Sequence, residues 1–133
     1  DLEARLSAYF DELCPKYPFK FNKARVTKSL LAFLESCEAA PLFAVAPCRQ
    51  VLIEAEFIDK TGSLFRMDRV IVDKDAVTVV DFKTGGENAE KYSAQMKNYL
   101  GIISEIYGKP AKGVLAYVDL GKIVEVNPDT PLP

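Results

Sequence analysis

The spacing of apolar positions changes twice along this chain and divides it into elements. Leu2, Leu6, Tyr9 and Leu13 recur every three to four residues, which predicts an amphipathic helix over residues 1 to about 13, stopped by Pro15 and Pro18. Asn22 suits the N-cap of a second helix that carries Val26, Leu30, Phe33, Leu34 and Cys37 on one side and is closed by Pro41. Leu42 to Ala46, bounded by Pro47, reads as either a helical turn or a buried loop. From residue 50 the period drops to two. Val51, Ile53, Ala55 and Phe57 alternate with Leu52, Glu54, Glu56 and Ile58, as a strand requires. Lys60-Thr61-Gly62-Ser63 turns into a second strand, Leu64 to Val72, and Asp73-Lys74-Asp75 into a third that ends at Lys83. These three form an antiparallel meander. The helical period returns over residues 88 to about 107, with Tyr92, Met96, Tyr99, Leu100, Ile103, Ile106 and Tyr107 on its stripe and Gly108-Lys109-Pro110 at its end. Two strands, Lys112 to Val118 and Ile123 to Val126, flank the turn Asp119-Leu120-Gly121-Lys122, and the Pro-rich tail Asn127 to Pro133 is expected to fray. Helices, three strands, a helix and two strands predict an α/β fold with helices against a mixed sheet.

Composition narrows the chemistry. The 133 residues suit a single domain. Histidine is absent, which excludes histidine triads, histidine-ligated zinc and histidine general bases. The three cysteines, Cys14, Cys37 and Cys48, have no close C-x-x-C spacing and read as free thiols in a reducing compartment. A net charge of −2 and a pI near 5.2 argue against a tight, unaided nucleic-acid binder. No apolar run approaches the ~20 residues that span a bilayer, so no membrane partner is expected and a cytoplasmic location is the default. The chain begins at Asp1 without Met, as a fragment or a processed form would.

The stretch with the most chemistry is Val77-Thr78-Val79-Val80-Asp81-Phe82-Lys83-Thr84-Gly85. Its β-branched run predicts a buried strand, ended by Gly85 and Gly86. Alternation puts Asp81 and Lys83 on one face and Phe82 on the other. A local ion pair capping the strand is the bland alternative. Glu54 and Asp68 precede Asp81 on the other two strands of the meander at nearly equal spacing, so the three acids can reach one region of the sheet. Such a cluster needs a cation, and hard oxygen donors without Cys or His favour Mg²⁺ or Mn²⁺. Lysine beside that cation suits phosphate chemistry. Taken singly, Glu54 and Glu56 also fit solvent-facing strand positions, Asp68 fits a surface pair with Arg66 or Arg69, and Gln95 and Tyr99 fit helix surface and helix core.

The ordered set Glu54, Arg66-Met67-Asp68-Arg69, Asp81-Phe82-Lys83-Thr84-Gly85 and Tyr92-x-x-Gln95-x-x-x-Tyr99 resembles the RecB-like branch of the PD-(D/E)xK nuclease superfamily. The resemblance spans about residues 22 to 118 and is greatest to the C-terminal nuclease domains of UvrD/Rep-type helicases and of AddA and RecB subunits. It implies a restriction-endonuclease-like αβββαβ core over residues 1–133, as one domain at the C-terminal end of a longer helicase/nuclease chain. It implies DNA cleavage dependent on Mg²⁺ or Mn²⁺, in repair or recombination, with a helicase motor in the parent chain or a partner subunit. By position, Glu54, Asp68, Asp81 and the Phe82 carbonyl would hold metal. Asp68, Asp81, Lys83 and Gln95 would serve catalysis, and Arg69, Gln95 and Tyr99 would contact DNA. Glu54 fits the upstream acid better than Glu56, because it precedes Phe57 as the family's acid precedes its phenylalanine. Many relatives carry a metal-binding histidine in an upstream helix; here that helix would lie before Asp1, or the site is a three-acid version. Some relatives hold an iron–sulfur cluster on four cysteines, a pattern this chain lacks. A G-x-x-x-x-G-K-[ST] loop is also missing, so the chain is no motor by itself. The rival reading is a catalytically silent module of the same fold that binds DNA or scaffolds a helicase.

Overall fold

The computed structural model describes residues 1–17, 20–86 and 88–133, so the reading of Pro18 as a helix stop lies outside the described residues. Two compact units are present, Asp1–Phe43 and Ala44–Pro133. In the first, helix α1 (Leu2–Leu13) starts at Asp1, whose carboxylate accepts the Glu3 N–H at 3.0 Å. Pro15 falls in the short 3-10 turn Cys14–Lys16 that follows. Helix α2 (Lys23–Leu34) is capped by Asn22, whose Oδ1 accepts the Arg25 N–H at 3.0 Å, as its sequence position predicts. Phe10 meets Phe21 edge-on with centroids 5.6 Å apart, and Lys23 pairs with Asp11.

Helix α2 stops earlier than its apolar stripe suggests. Ser36 Oγ donates to the Phe33 carbonyl at 2.7 Å and accepts the Ala39 N–H at 3.2 Å, offering the backbone an alternative to another helical turn. Cys37 is therefore outside the helix and exposed. Pro41 lies within a four-residue helix, α3 (Ala40–Phe43), instead of closing α2. The segment from Leu42 thus begins as a helical turn and leaves Val45 fully exposed.

The second unit is the sheet and its helix: β1 (Gln50–Ile58), β2 (Leu64–Val72), β3 (Val77–Lys83), α4 (Ala89–Tyr107), β4 (Ala111–Tyr117) and β5 (Lys122–Val126). The strands lie side by side in chain order. β1, β2 and β3 are antiparallel, β3 and β4 are parallel across the α4 connection, and β4 and β5 are antiparallel. This is the mixed sheet with flanking helix that the sequence predicts. Asn88 caps α4 through the Lys91 N–H at 3.4 Å, and Gly108 ends it at φ 62°, a left-handed position that favours glycine.

The core lies between α4 and one face of the sheet. Met96, Tyr99, Leu100 and Ile103 pack with Val77 and Val79 of β3 and Leu115 and Tyr117 of β4. Gly113 lets the helix come close, because a Cβ there would collide with the buried Met96 side chain. Ile106 continues the sequence stripe but is left exposed in the last turn of α4, and Ile102 is buried instead. Among the described residues, no helix is long and apolar enough to cross a membrane.

Candidate active site

Strict alternation along β1 and β2 fails at one step, and that step carries two acids. The ladder pairs Ile53 with Arg69 and Ala55 with Met67 but skips Glu54 and Asp68 between them. Glu54 sits at φ 51°, a left-handed conformation that side chains adopt at a cost of about 1–2 kcal/mol. The side-chain phase changes there. Leu52 and Phe57, five positions apart, both pack on the core, as do Met67 and Val70, and Ile53 is exposed. The simple alternation expected for β1 therefore does not hold across Glu54. Its carboxylate reaches Arg66 Nη2 at 2.8 Å, with both side chains more than half exposed.

On the other side of β2, pairing with β3 extends only as far as Arg69 with Val80. β3 continues beside β4 alone, through Phe82 with Ala116 and Lys83 with Tyr117. Asp68 and Asp81 occupy the next register step, where the two strands part. Asp68 bridges the gap, since its Oδ2 accepts the Phe82 N–H at 2.9 Å. Asp81 and Lys83 project to the α4 side, and Phe82 lies on the opposite face, partly exposed.

Lys83 is the hub. Its ammonium lies 2.6 Å from Asp81 Oδ2, and both side chains are largely buried. It donates to Gln95 Oε1 at 3.1 Å. Because lysine can only donate, Gln95 must turn its oxygen toward Lys83 and its amide nitrogen toward Tyr99. Gln95 Nε2 accordingly donates to Tyr99 OH at 3.1 Å, and that hydroxyl donates in turn to the Arg66 carbonyl over a long 3.5 Å. Gln95 and Tyr99 are one turn apart on α4, so the helix face that fills the core also carries this chain of hydrogen bonds.

The carboxyl of Asp81 is held above its usual range, chiefly by burial and further by Asp68, with Lys83 opposing both. Its Oδ2 is buried and lacks a well-directed hydrogen bond. The ammonium of Lys83 balances its charge at short range. Burial, then the charge of Asp81, raises the Tyr99 hydroxyl, which keeps it a donor. Arg69 is half-buried, and burial followed by the charge of Arg49 lowers its guanidinium from its ordinary value.

A family model described as the PD-(D/E)XK nuclease superfamily matches residues 1–131. The chain belongs to that superfamily. Its mixed five-stranded sheet with the α4 helix packed on it is the restriction-endonuclease-like fold of these proteins, whose members are typically divalent-metal-dependent nucleases. Seven chains of solved structures also match. One, described as "Crystal structure of SSO0001", is 16% identical with a TM-score of 0.39, over 97% of this chain and 63% of that one. This chain thus spans less than two thirds of that structure's chain. No curated protein matches it.

In this PD-(D/E)XK chain the structure brings together Asp68, Asp81, Lys83, Gln95 and Tyr99. Glu54 is instead engaged with Arg66, and among the described residues no three Asp, Glu, Cys or His side chains converge as a metal cage. Tyr99 lies in the core with only its hydroxyl committed to the site, whereas Gln95 is exposed. Two partners were given no role from the sequence, although Tyr92 belongs to the quoted motif Tyr92-x-x-Gln95-x-x-x-Tyr99. Tyr92 places its ring 4.3 Å from the Lys83 ammonium, and Asp119 accepts the Gly85 N–H at 2.9 Å. Tyr92 was legible in principle, being one turn before Gln95 on the same helix face. Asp119 sits in the β4–β5 turn, and no local pattern connects it to residue 85.

The strain at Glu54 gives a direct expectation. Glu54→Gly removes the left-handed cost and loses only an exposed ion pair worth about 0–1 kcal/mol, so stability should stay level or rise. Glu54→Val, β-branched at positive φ, should lose about 1–3 kcal/mol. Urea unfolding of the three proteins checks this, and a Val variant as stable as wild type would mean that the strand relaxes there freely.

Proposed function

We propose that this chain is a divalent-metal-dependent DNA nuclease of the RecB-like branch, hydrolysing phosphodiester bonds in DNA delivered by a helicase during repair or recombination. The observation that carries the reading is the Lys83 ammonium, held between Asp81 Oδ2 and Gln95 Oε1 beside Asp68. Asp68, Asp81 and the Phe82 carbonyl would hold the cation. The donor set supports this. It is all hard oxygen, and Asp81 Oδ2 is a buried carboxylate oxygen that already faces a cation, the Lys83 ammonium. Mg²⁺ in particular is commonly held by one or two carboxylates and keeps several waters, so a third acid is unnecessary.

When bound, the ion would lower the pKa of a water and polarise a phosphoryl oxygen. The chain's own residues do the rest. Lys83 presents positive charge to the oxygens where negative charge develops. Gln95, oriented by Tyr99, fixes where that ammonium points. Arg69 and the exposed edge of Gln95 are the proposed DNA contacts. Helicase delivery is supported by the net charge of −2, since unaided binding to a polyanion would be weak.

Cleavage of end-labelled single- and double-stranded oligonucleotides, with Mg²⁺, with Mn²⁺ and with chelator, tests the reading. Cutting in either metal and none in chelator is expected. DNA binding without cutting under every condition would favour the silent module instead.

A further inference from the structure

An ammonium working on a phosphodiester must be fixed in place and must keep an N–H unused, and these demands compete. Lysine has three donors, and every acceptor that pins it takes one. Gln95 Oε1 takes one at 3.1 Å, and Asp81 Oδ2, 2.6 Å away, takes a second. The third restraint is of another kind: the face of the Tyr92 ring, with its centroid 4.3 Å from Nζ. An aromatic face attracts a cation through its quadrupole and needs no directed N–H. The ring is itself held, because Tyr92 packs against Tyr117 with centroids 6.4 Å apart. Tyr117 is buried and is the register partner of Lys83 on β4. Lys83, its strand neighbour and the first turns of α4 are thereby tied together through one ring.

We propose that Tyr92 is a positioning residue for Lys83, its ring fixing the ammonium by a cation–π contact that leaves an N–H for the reacting phosphodiester. This rests on the nuclease reading above. The Tyr92 hydroxyl has no part in it, so phenylalanine should serve as well as tyrosine.

The test uses the intact chain, saturating Mg²⁺ and a linear oligonucleotide. Tyr92→Phe should keep wild-type kcat. Tyr92→Leu should lower kcat about 3- to 30-fold, the range for an exposed to desolvated cation–ring contact, with KM unchanged. In a Lys83→Ala background the same Tyr92→Leu change should cost nothing more, because the ring then has no ammonium to hold. Should Tyr92→Leu fail to fold, phenylalanines of increasing fluorination at position 92 replace it, and kcat should fall with each fluorine as the ring face loses electron density. Wild-type kcat in Tyr92→Leu, an equal loss in Tyr92→Phe, a persisting loss without Lys83, or indifference to fluorination would each overturn the proposal. A wild-type chain that cuts nothing would instead overturn the nuclease reading on which it rests.

Discussion

Lys83→Ala should lower kcat for DNA cleavage about 10²–10³-fold, the scale for removing one preorganised electrostatic group from a site. The same variant should bind the divalent ion at least as well as wild type. Lysine contributes no ligand, and its ammonium occupies the neighbourhood of Asp81 Oδ2 that the cation would take. Without metal the variant should be less stable than wild type, because a largely buried carboxylate loses its counter-charge. Added Mg²⁺ should recover most of that loss. Rate, metal affinity and metal-free stability thus move in three different ways from one substitution. An ion pair that merely capped β3 would give only the stability loss, and equal cleavage rates for mutant and wild type would remove Lys83 from the chemistry.

Asp81→Asn should have the opposite signature. Asp81 is raised by burial and by Asp68 more than Lys83 lowers it. A carboxyl whose folded-state pKa exceeds its unfolded one costs no stability while both states are protonated. The cost grows as pH rises from the unfolded value through the folded one, and persists above it. Metal-free wild type therefore carries a penalty at neutral pH that Asp81→Asn escapes at nearly constant volume. The variant should melt higher than wild type in chelator at neutral pH, by about 3–5 °C for each kcal/mol relieved in a chain of this size. That advantage should shrink as pH falls through the acid window. A divalent ion binding only the folded form stabilises wild type by about 2.7 kcal/mol at a hundred times Kd, and Asp81→Asn should forgo most of this. The curves of the two proteins should therefore cross when metal is added. A variant that melts lower in chelator and responds to metal like wild type would return Asp81 to a structural role.

Much of this geometry was readable from residue order. Asp81 and Lys83 share a face because the β3 backbone is regular, and alternation is reliable in a regular strand. Asn22 caps α2 where a side-chain oxygen precedes an apolar period. The misreadings lie where local pattern is overridden. Ser36 ends α2 with hydrogen bonds that no apolar stripe encodes. Glu54 belongs to a run that alternates on paper, but its left-handed backbone shifts the phase of β1 and its carboxylate goes to Arg66. That conformation is rare for glutamate, so its sequence neighbourhood gave no warning. Tyr92 reads as a member of the helix stripe and of the Tyr92-x-x-Gln95-x-x-x-Tyr99 motif, and neither assigns it a contact. Its second role arises only because β3 and the first turns of α4 converge, a tertiary fact outside the reach of periodicity.

In the proposed site, Asp68 and Asp81, at the step where β2 and β3 part, would hold the divalent ion beside which Lys83 acts. Mn²⁺ binding, followed by electron paramagnetic resonance of the free ion, addresses it without substrate or partner. Wild type and Glu54→Gln should bind Mn²⁺ with similar affinity. Asp68→Asn and Asp81→Asn should each lose at least the roughly 10–100-fold that follows even from removing a residue that only supports a ligand. Unchanged Mn²⁺ affinity in Asp68→Asn and Asp81→Asn would mean that these carboxylates do not hold the ion.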